Sequence, residues 1–331
     1  MSRKFSIITV GLSPAWDITC RGRGLDWSVH GYIDEQIIQP AGKALNISKA
    51  LAWMGQRNIA AGLWGRNDYQ QMVSAVQSLW PLIKVKMTPV SGSTRQNVTI
   101  VDTVNHRDMH LRNRSKLVSR RALKRLKADL QAIVNSKRVC VFAGAMPEDK
   151  LWGDIIRIIK GCHRQGARMV LDTSGAALRE IIDTGGVWLI KPNVNELREL
   201  LGDKIKDNPF SLAKAGQKLL EKVEIVLISR GKKGAVVVSK DGAWQGRCIA
   251  RRKTLSTVGC GDYLLAGFIK CLTETFDAGI ALQTAIRVAT ARAWGWTESK
   301  KWPQAERQIK VKTKGFHREA SCGPQSGVPK K

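Results

Sequence analysis

Thr254-Leu-Ser-Thr-Val-Gly-Cys-Gly-Asp-Tyr-Leu-Leu-Ala-Gly-Phe-Ile269 is the most informative stretch of this 331-residue chain. Gly259 and Gly261 bracket Cys260, and Asp262 opens an apolar helix through Leu265, Phe268 and Ile269. Glycines permit a tight turn that gathers successive backbone N–H groups at a helix N-terminus. Such a turn is an anion pocket of the kind a migrating phosphoryl group needs. A carboxylate in the first helical turn can accept the proton of a hydroxyl bound beside those N–H groups. An aspartate there also commonly does no more than cap its helix, so residue types alone leave both readings open.

Upstream of this loop, apolar strand-like segments alternate with helical ones. Residues 5–10, 139–142, 169–171, 188–190, 225–228 and 235–238 read as strands. Residues 150–161, 178–183 and a longer stretch ending at 219–223 read as helices. This alternation predicts an α/β fold with a mainly parallel central sheet, and ligands at the C-terminal ends of its strands. The N-terminal third differs. Residues 29–38 and 94–104 mix β-branched and polar side chains, as strands with one wet face do. A helical segment at 45–54 separates them, so the expectation is a small sheet built from insertions and acting as a lid. The main domain is then 1–309, with lid strands from about 28–40 and 92–112. Residues 310–331 lose periodicity, gain Gly, Pro and Lys, and read as a loose basic tail.

The charge is the unusual bulk property: 55 Lys and Arg against 27 Asp and Glu give +28. That balance keeps nucleic acid open as a partner. The scatter of basic residues along the chain disfavours it, because a basic surface around an enzyme of anionic substrates accounts for the charge as well. Within 120–127 the basic residues fall on an amphipathic pattern, with Leu123, Leu126 and Leu130 as the apolar stripe. The seven cysteines are scattered and without CxxC spacing, against zinc knuckles or a disulfide framework and for a reducing compartment. No apolar run spans a bilayer, and the chain enters its first strand with no leader, so the expected location is the cytoplasm.

Val258-Gly259-Cys260-Gly261-Asp262 with Ala266-Gly267-Phe268 resembles the C-terminal signature of the ribokinase-like (PfkB) carbohydrate kinases. Further landmarks follow in the family's order: Gly42-Lys43 with Asn46, Thr94-Arg95, Gly144 with Pro147, Leu171-Asp-Thr-Ser-Gly175, Lys191-Pro-Asn193 with Glu196, and Ser229 with Gly231 and Gly234. The resemblance covers about residues 5–300 and points to the branch of 1-phosphofructokinase and tagatose-6-phosphate kinase. It implies a three-layer ribokinase-like sandwich with a lid. It also implies phosphoryl transfer from ATP, with Mg2+, to fructose 1-phosphate or tagatose 6-phosphate. Independently, a half-exposed lid sheet invites pairing, so a homodimer through the lid is an expectation. A kinase of an unphosphorylated sugar or nucleoside, or a non-catalytic protein binding sugar phosphate or nucleic acid, remains the alternative.

By the same resemblance, Asp262 is the base, and the N–H groups of Gly259, Cys260 and Gly261 stabilise the transferring phosphoryl group. Asp17, Gly42, Lys43 and Asn46 would meet the sugar. Arg95, with Arg112 as the weaker candidate, would clamp the phosphate already on it. Lys191, Asn193, Ser229, Gly231 and Gly234 would lie on the nucleotide side, with Trp294 near the adenine. Asn193 and Glu196 would serve magnesium through water, a capped helix start being the plain alternative. The segment Ser229–Gly234 is not a Walker A loop, and no early GxGxxG follows the first strand, which disfavours P-loop enzymes and nicotinamide dehydrogenases.

Three departures from the family pattern bear on the acceptor. Ala41 and Ala44 replace glycines around Gly42-Lys43, Gly31-Tyr32 stand where an Asn-Arg pair is expected, and Tyr263 replaces a small residue beside Asp262.

Overall fold

The apolar runs of the central strands divide, residue by residue, between two cores. Ile8, Val10, Cys140, Phe142, Met169, Leu171, Val226 and Ile228 face one core. Ile7, Val139, Val141, Val170, Leu189, Ile225 and Leu227 face the other. A strand whose every side chain is buried must lie between two layers of helices, since successive residues point to opposite faces. A computed structural model describes residues 5–27, 29–202 and 204–316 and gives this arrangement.

Among the described residues the strands are β1 Ser6–Gly11, β2 Ala15–Gly22, β3 Glu35–Ala41, β4 Asn58–Gly65, β5 Ile83–Val90, β6 Gln96–Asp102 and β7 Arg107–Arg112. They continue with β8 Arg138–Ala143, β9 Arg168–Asp172, β10 Val187–Ile190, β11 Val223–Ser229, β12 Ala235–Ser239, β13 Gly242–Cys248 and β14 Val311–Phe316. Ten of them form one sheet in the order β14-β13-β12-β11-β10-β9-β8-β1-β4-β5. Its pairs are parallel from β5 to β11 and antiparallel from β11 to β14. A second sheet, β3-β2-β6-β7, stands apart.

The helices are α1 Lys43–Trp53, α2 Tyr69–Leu79, α3 Arg120–Gln131, α4 Trp152–Arg164, α5 Gly175–Asp183, α6 Val194–Leu201 and α7 Pro209–Lys218. After them come α8 Cys260–Thr275, α9 Ala278–Ala293, α10 Trp296–Ser299 and α11 Trp302–Gln308. Helices α3 to α7 cover one face of the large sheet, and α1, α8, α9 and α11 the other. The architecture is an α/β ribokinase-like sandwich with a smaller accessory sheet.

Several boundaries differ from the sequence reading. The small sheet gains β2, which the sequence reading did not assign to any element, and its strand β3 begins at Glu35, later than expected. Strands β4 and β5 went unread. β5 is an edge strand whose exposed Lys84 and Lys86 interrupt its apolar residues. The helical stretch expected to end at residue 223 is two helices, and Val223 already belongs to β11. The tail is not loose from its start: Val311–Phe316 pairs antiparallel with β13, backbone hydrogen bonding giving order that side-chain periodicity does not announce. Residues 317–331, including Cys322, lie outside the described residues. The six described cysteines are free. No helix among the described residues is long and apolar enough to cross a membrane.

Candidate active site

Gly259 enters α8 with φ of +78°, a left-handed conformation that glycine adopts without strain. This bend sets the first turn of α8 with Asp262 buried at the C-terminal edge of the parallel strands. Asn46, in the first turn of α1, donates from Nδ2 to Oδ2 of Asp262 at 2.9 Å. Burial, reinforced by the nearby Asp172 carboxylate, pushes the Asp262 carboxyl up to about 7, against opposing effects of Asn46, Lys43 and Lys191. A carboxylate poised near neutrality is what a general base needs.

Asp172 is the residue that sequence reasoning passed over, although it stands inside the noted Leu171–Gly175 landmark. It ends β9, is 1% exposed, and accepts through Oδ1 from Lys191 Nζ at 3.2 Å and Lys43 Nζ at 3.4 Å. Among the described residues its Oδ2 has no hydrogen-bond partner. Burial works against a charged Lys43, but Asp172, Asp262 and Glu196 outweigh it and hold the ammonium above its ordinary value. A Cβ built on Gly261 would lie 3.5 Å from Lys191 Nζ, so that ammonium stands directly over the start of α8. Asp262, Asp172, Lys43, Lys191 and Asn46 therefore form one cluster.

The anion turn is smaller than expected. Cys260 N–H is directed at Thr257 O, 3.3 Å away, whereas among the described residues the N–H groups of Gly259 and Gly261 have no protein acceptor. Burial raises the Cys260 thiol above its ordinary value, so it is no activated nucleophile.

Beyond the turn opens a cleft of about 580 Å³. Asn193, Ser229, Gly231, Gly234, Cys260 and Gly261 line it, which unites most of the residues expected on the nucleotide side, and Trp294 lies in its wall. Thr254, Thr257, Arg251 and Arg252 also line it and had not been singled out. Gly234 is required by close approach: its absent Cβ would fall 2.0 Å from Gly246 O. Asn193 caps α6 by accepting from the N–H groups of Asn195 and Glu196, while Glu196 accepts from Asn193 N–H. The plain alternative of a capped helix start is thus present at these two residues.

On the small sheet, Asp17, Asn97 and Arg112 lie in register across β2, β6 and β7, and Asp17 Oδ1 accepts from Asn97 Nδ2 at 2.7 Å. Asn97, within the expected 94–104 strand, had no role in the sequence reading. Arg95 does not present a free fork. Its Nε donates to Pro14 O, Nη2 to Ser13 O, and Nη1 to Asn113 O and Asn97 Oδ1. With four of five N–H groups engaged, it buttresses the entry to β2 and leaves no bidentate face for a phosphate. Arg112, exposed on the same sheet, keeps its head in solvent. The Ser13-Pro14 turn that Arg95 holds lies against Gly42, whose missing Cβ would be 3.2 Å from Pro14 Cα, and so connects the small sheet to Lys43 and Asn46.

A second junction lies at the base of the small sheet. The indoles of Trp16, on β2, and Trp64, on β4, both donate to Asp68 Oδ2, at 2.5 and 2.9 Å. Asp68 Oδ1 accepts from Thr94 N–H, which leads into β6. The substituted positions find room elsewhere: Tyr263 is buried in the second core beneath Arg292, and Ala44 packs beside Gly11. Tyr32 is exposed.

Residues 21–294 match the model of the pfkB family of carbohydrate kinases. Over 297 residues the chain is 27% identical to the 1-phosphofructokinase of Haemophilus influenzae, covering 86% of this chain and 89% of that protein. It is 25% identical over 266 residues to a tagatose-6-phosphate kinase of Staphylococcus epidermidis, covering 79% and 83%. Its fold is similar to that of phosphofructokinase-2 from Escherichia coli solved with fructose-6-phosphate, with a TM-score of 0.83 at 20% identity over 92% of this chain and 98% of that one. A signature match across most of the length, on a sandwich whose loop ends converge on Asp262, establishes that the chain belongs to the pfkB family of carbohydrate kinases.

Proposed function

We propose that the protein transfers the γ-phosphoryl group of ATP to a hydroxyl of a small sugar phosphate, with fructose 1-phosphate as first candidate and tagatose 6-phosphate as second. The observation that carries this reading is the Asp262 carboxyl, buried at the start of α8 and pushed up to about 7. Asp262 accepts the proton of the attacking hydroxyl, while the N–H groups of Gly259 and Gly261 donate to the oxygens of the migrating group. Lys43 and Lys191, tethered by Asp172, add positive charge beside it. Preorganised donors of this kind are worth about 3–4 kcal/mol each in a transition state.

The cleft lined by Ser229, Gly231 and Gly234 has the volume of a nucleotide site. Magnesium, when bound, neutralises triphosphate charge. The residues present fit it through water: the described residues contain no group of three metal-ligating carboxylates, histidines or cysteines, but the orphaned Asp172 Oδ2 is a buried acceptor. Asp17 and Asn97 orient sugar hydroxyls. With Arg95 engaged by backbone carbonyls, the task of holding the substrate's own phosphate falls to Arg112, in register with Asn97 and Asp17. The small sheet acts as the lid, excluding water that would compete as acceptor.

The test is ADP release by the full chain across sugar phosphates, free sugars and nucleosides. Turnover dependent on fructose 1-phosphate or tagatose 6-phosphate supports the reading. Turnover only with an unphosphorylated acceptor, or none with any, overturns it in favour of the corresponding alternative.

A further inference from the structure

The large positive charge and the basic run at 120–127 play no part in the reaction just described. Helix α3 carries Arg120, Arg121, Lys124, Arg125 and Lys127, and buries Ala122, Leu123, Leu126 and Leu130 against the sheet. Its neighbour α4 buries Ile155, Ile158, Ile159 and Cys162, and turns Arg157, Lys160 and Arg164 outward. The two run parallel and side by side. Arg120 at the start of α3 reaches Asp154 at the start of α4, and Gln165 beyond the end of α4 donates to Gln131 O at the end of α3.

These helices contain only two acidic residues besides, and both are engaged. Asp154 pairs with Arg157 and Arg120, and Asp129 accepts from Thr88 Oγ1. Among the described residues Arg121, Lys124, Arg125, Lys160 and Arg164 have no ion pair. Arg121, Lys124 and Arg125 are spaced i, i+3 and i+4, so they share one face. The result is a basic slab about 18 Å long, two helices wide. None of the large exposed apolar side chains lies on α3 or α4. That argues against insertion into a membrane surface, which needs apolar anchors, and against stacking on unpaired bases, which needs aromatic ones. Uniform, unpaired positive charge on a rigid face is complementary to a duplex phosphate backbone.

We propose that the α3–α4 face binds double-stranded nucleic acid through its phosphate backbone, without sequence preference. This departs from the sequence reading, which disfavoured nucleic acid because the basic residues are spread along the chain; the fold gathers eight of them on one face. The proposal is independent of the phosphoryl-transfer reading, since no residue of that site takes part.

The experiment is fluorescence anisotropy of a labelled 24-base-pair DNA duplex titrated with the full chain over a range of salt. With about four phosphates engaged, log affinity falls against log salt with a slope of about −3.6. The variant R121Q/K124Q/R125Q is compared with the control K240Q/K312Q/K314Q, which neutralises three exposed lysines at the β12–β14 edge, the end of the sheet opposite β5 and α3. The expected result is at least about a tenfold loss of duplex affinity and a slope shallower by about 2–3 in the first variant, with the control near wild type. Equal effects of the two variants, or no effect of either, would assign the binding to diffuse net charge and overturn the proposal. So would binding to phosphatidylserine vesicles but not to the duplex. Both variants carry exposed substitutions, and unchanged melting temperatures confirm that folding is not the cause.

Discussion

Asn46 and Asp262, 216 residues apart in sequence, meet through a 2.9 Å hydrogen bond that joins the first turn of α1 to the first turn of α8. The bond favours the ionised carboxylate, whereas burial and Asp172 disfavour it. The acid limb of the pH–rate profile is therefore expected near 7, with activity lost as pH falls and Asp262 takes up a proton. Asn46→Ala removes a stabilising donor and moves that limb to higher pH. Asp172→Asn removes a like charge and moves it lower, while also freeing Lys43 and Lys191 and so reducing kcat. Profiles of kcat against pH for the three proteins check this, and shifts in the same direction would contradict the assignment.

The same carboxylate has a consequence for stability. Its folded value of about 7 lies above the ordinary 3.8, so between those two pH values the folded protein holds a proton that the unfolded chain has released. Stability therefore falls as pH rises through this window. Asp262→Asn keeps the shape and the acceptor for Asn46 but never becomes charged. The variant is expected to melt higher than wild type at pH 8, with the difference vanishing towards pH 4. Thermal denaturation at the two pH values measures it.

Asp68 holds the base of the small sheet by accepting from Trp16, Trp64 and Thr94. Trp16 is adjacent to Asp17, so loosening this junction displaces the proposed sugar contacts and leaves the proposed nucleotide cleft intact. Asp68→Asn is expected to raise KM for the acceptor about tenfold, as misplaced positioning groups do, with KM for ATP unchanged. A parallel rise in both constants would indicate general destabilisation instead.

The sequence made much of the sandwich legible because β1 and β8 to β12 read as short apolar runs, while Ser229, Gly231 and Gly234 were picked out by resemblance and the structure places them together on one cleft wall. It did not disclose β2, in which Trp16 and Asp17 alternate between opposite faces, nor the engagement of Arg95. An arginine at the start of a strand in the small sheet looks the same whether its fork faces a ligand or three backbone carbonyls; only the path of the Ser13-Pro14 turn decides. Asp172 escaped for a similar reason. Its importance lies in two lysines from distant segments, Lys43 and Lys191, converging on one oxygen.

Alternation along the small sheet places Ile18, Ile38, Val98 and Leu111 on the face opposite Asp17, with Ile38 and Leu111 about half exposed. We propose that this face pairs with a second copy, because an apolar sheet face left in water invites association. Sedimentation velocity is expected to give a dimer for wild type and a monomer for I38E/L111E. A wild-type monomer at micromolar concentration would contradict the pairing.

The most direct test of the account is single-turnover phosphoryl transfer by Asp262→Asn with saturating ATP and sugar phosphate. The account predicts a rate about 10²–10⁴-fold below wild type, the range for loss of a general base, with ATP affinity little changed. A rate within a few-fold of wild type would show that Asp262 does not take the hydroxyl proton.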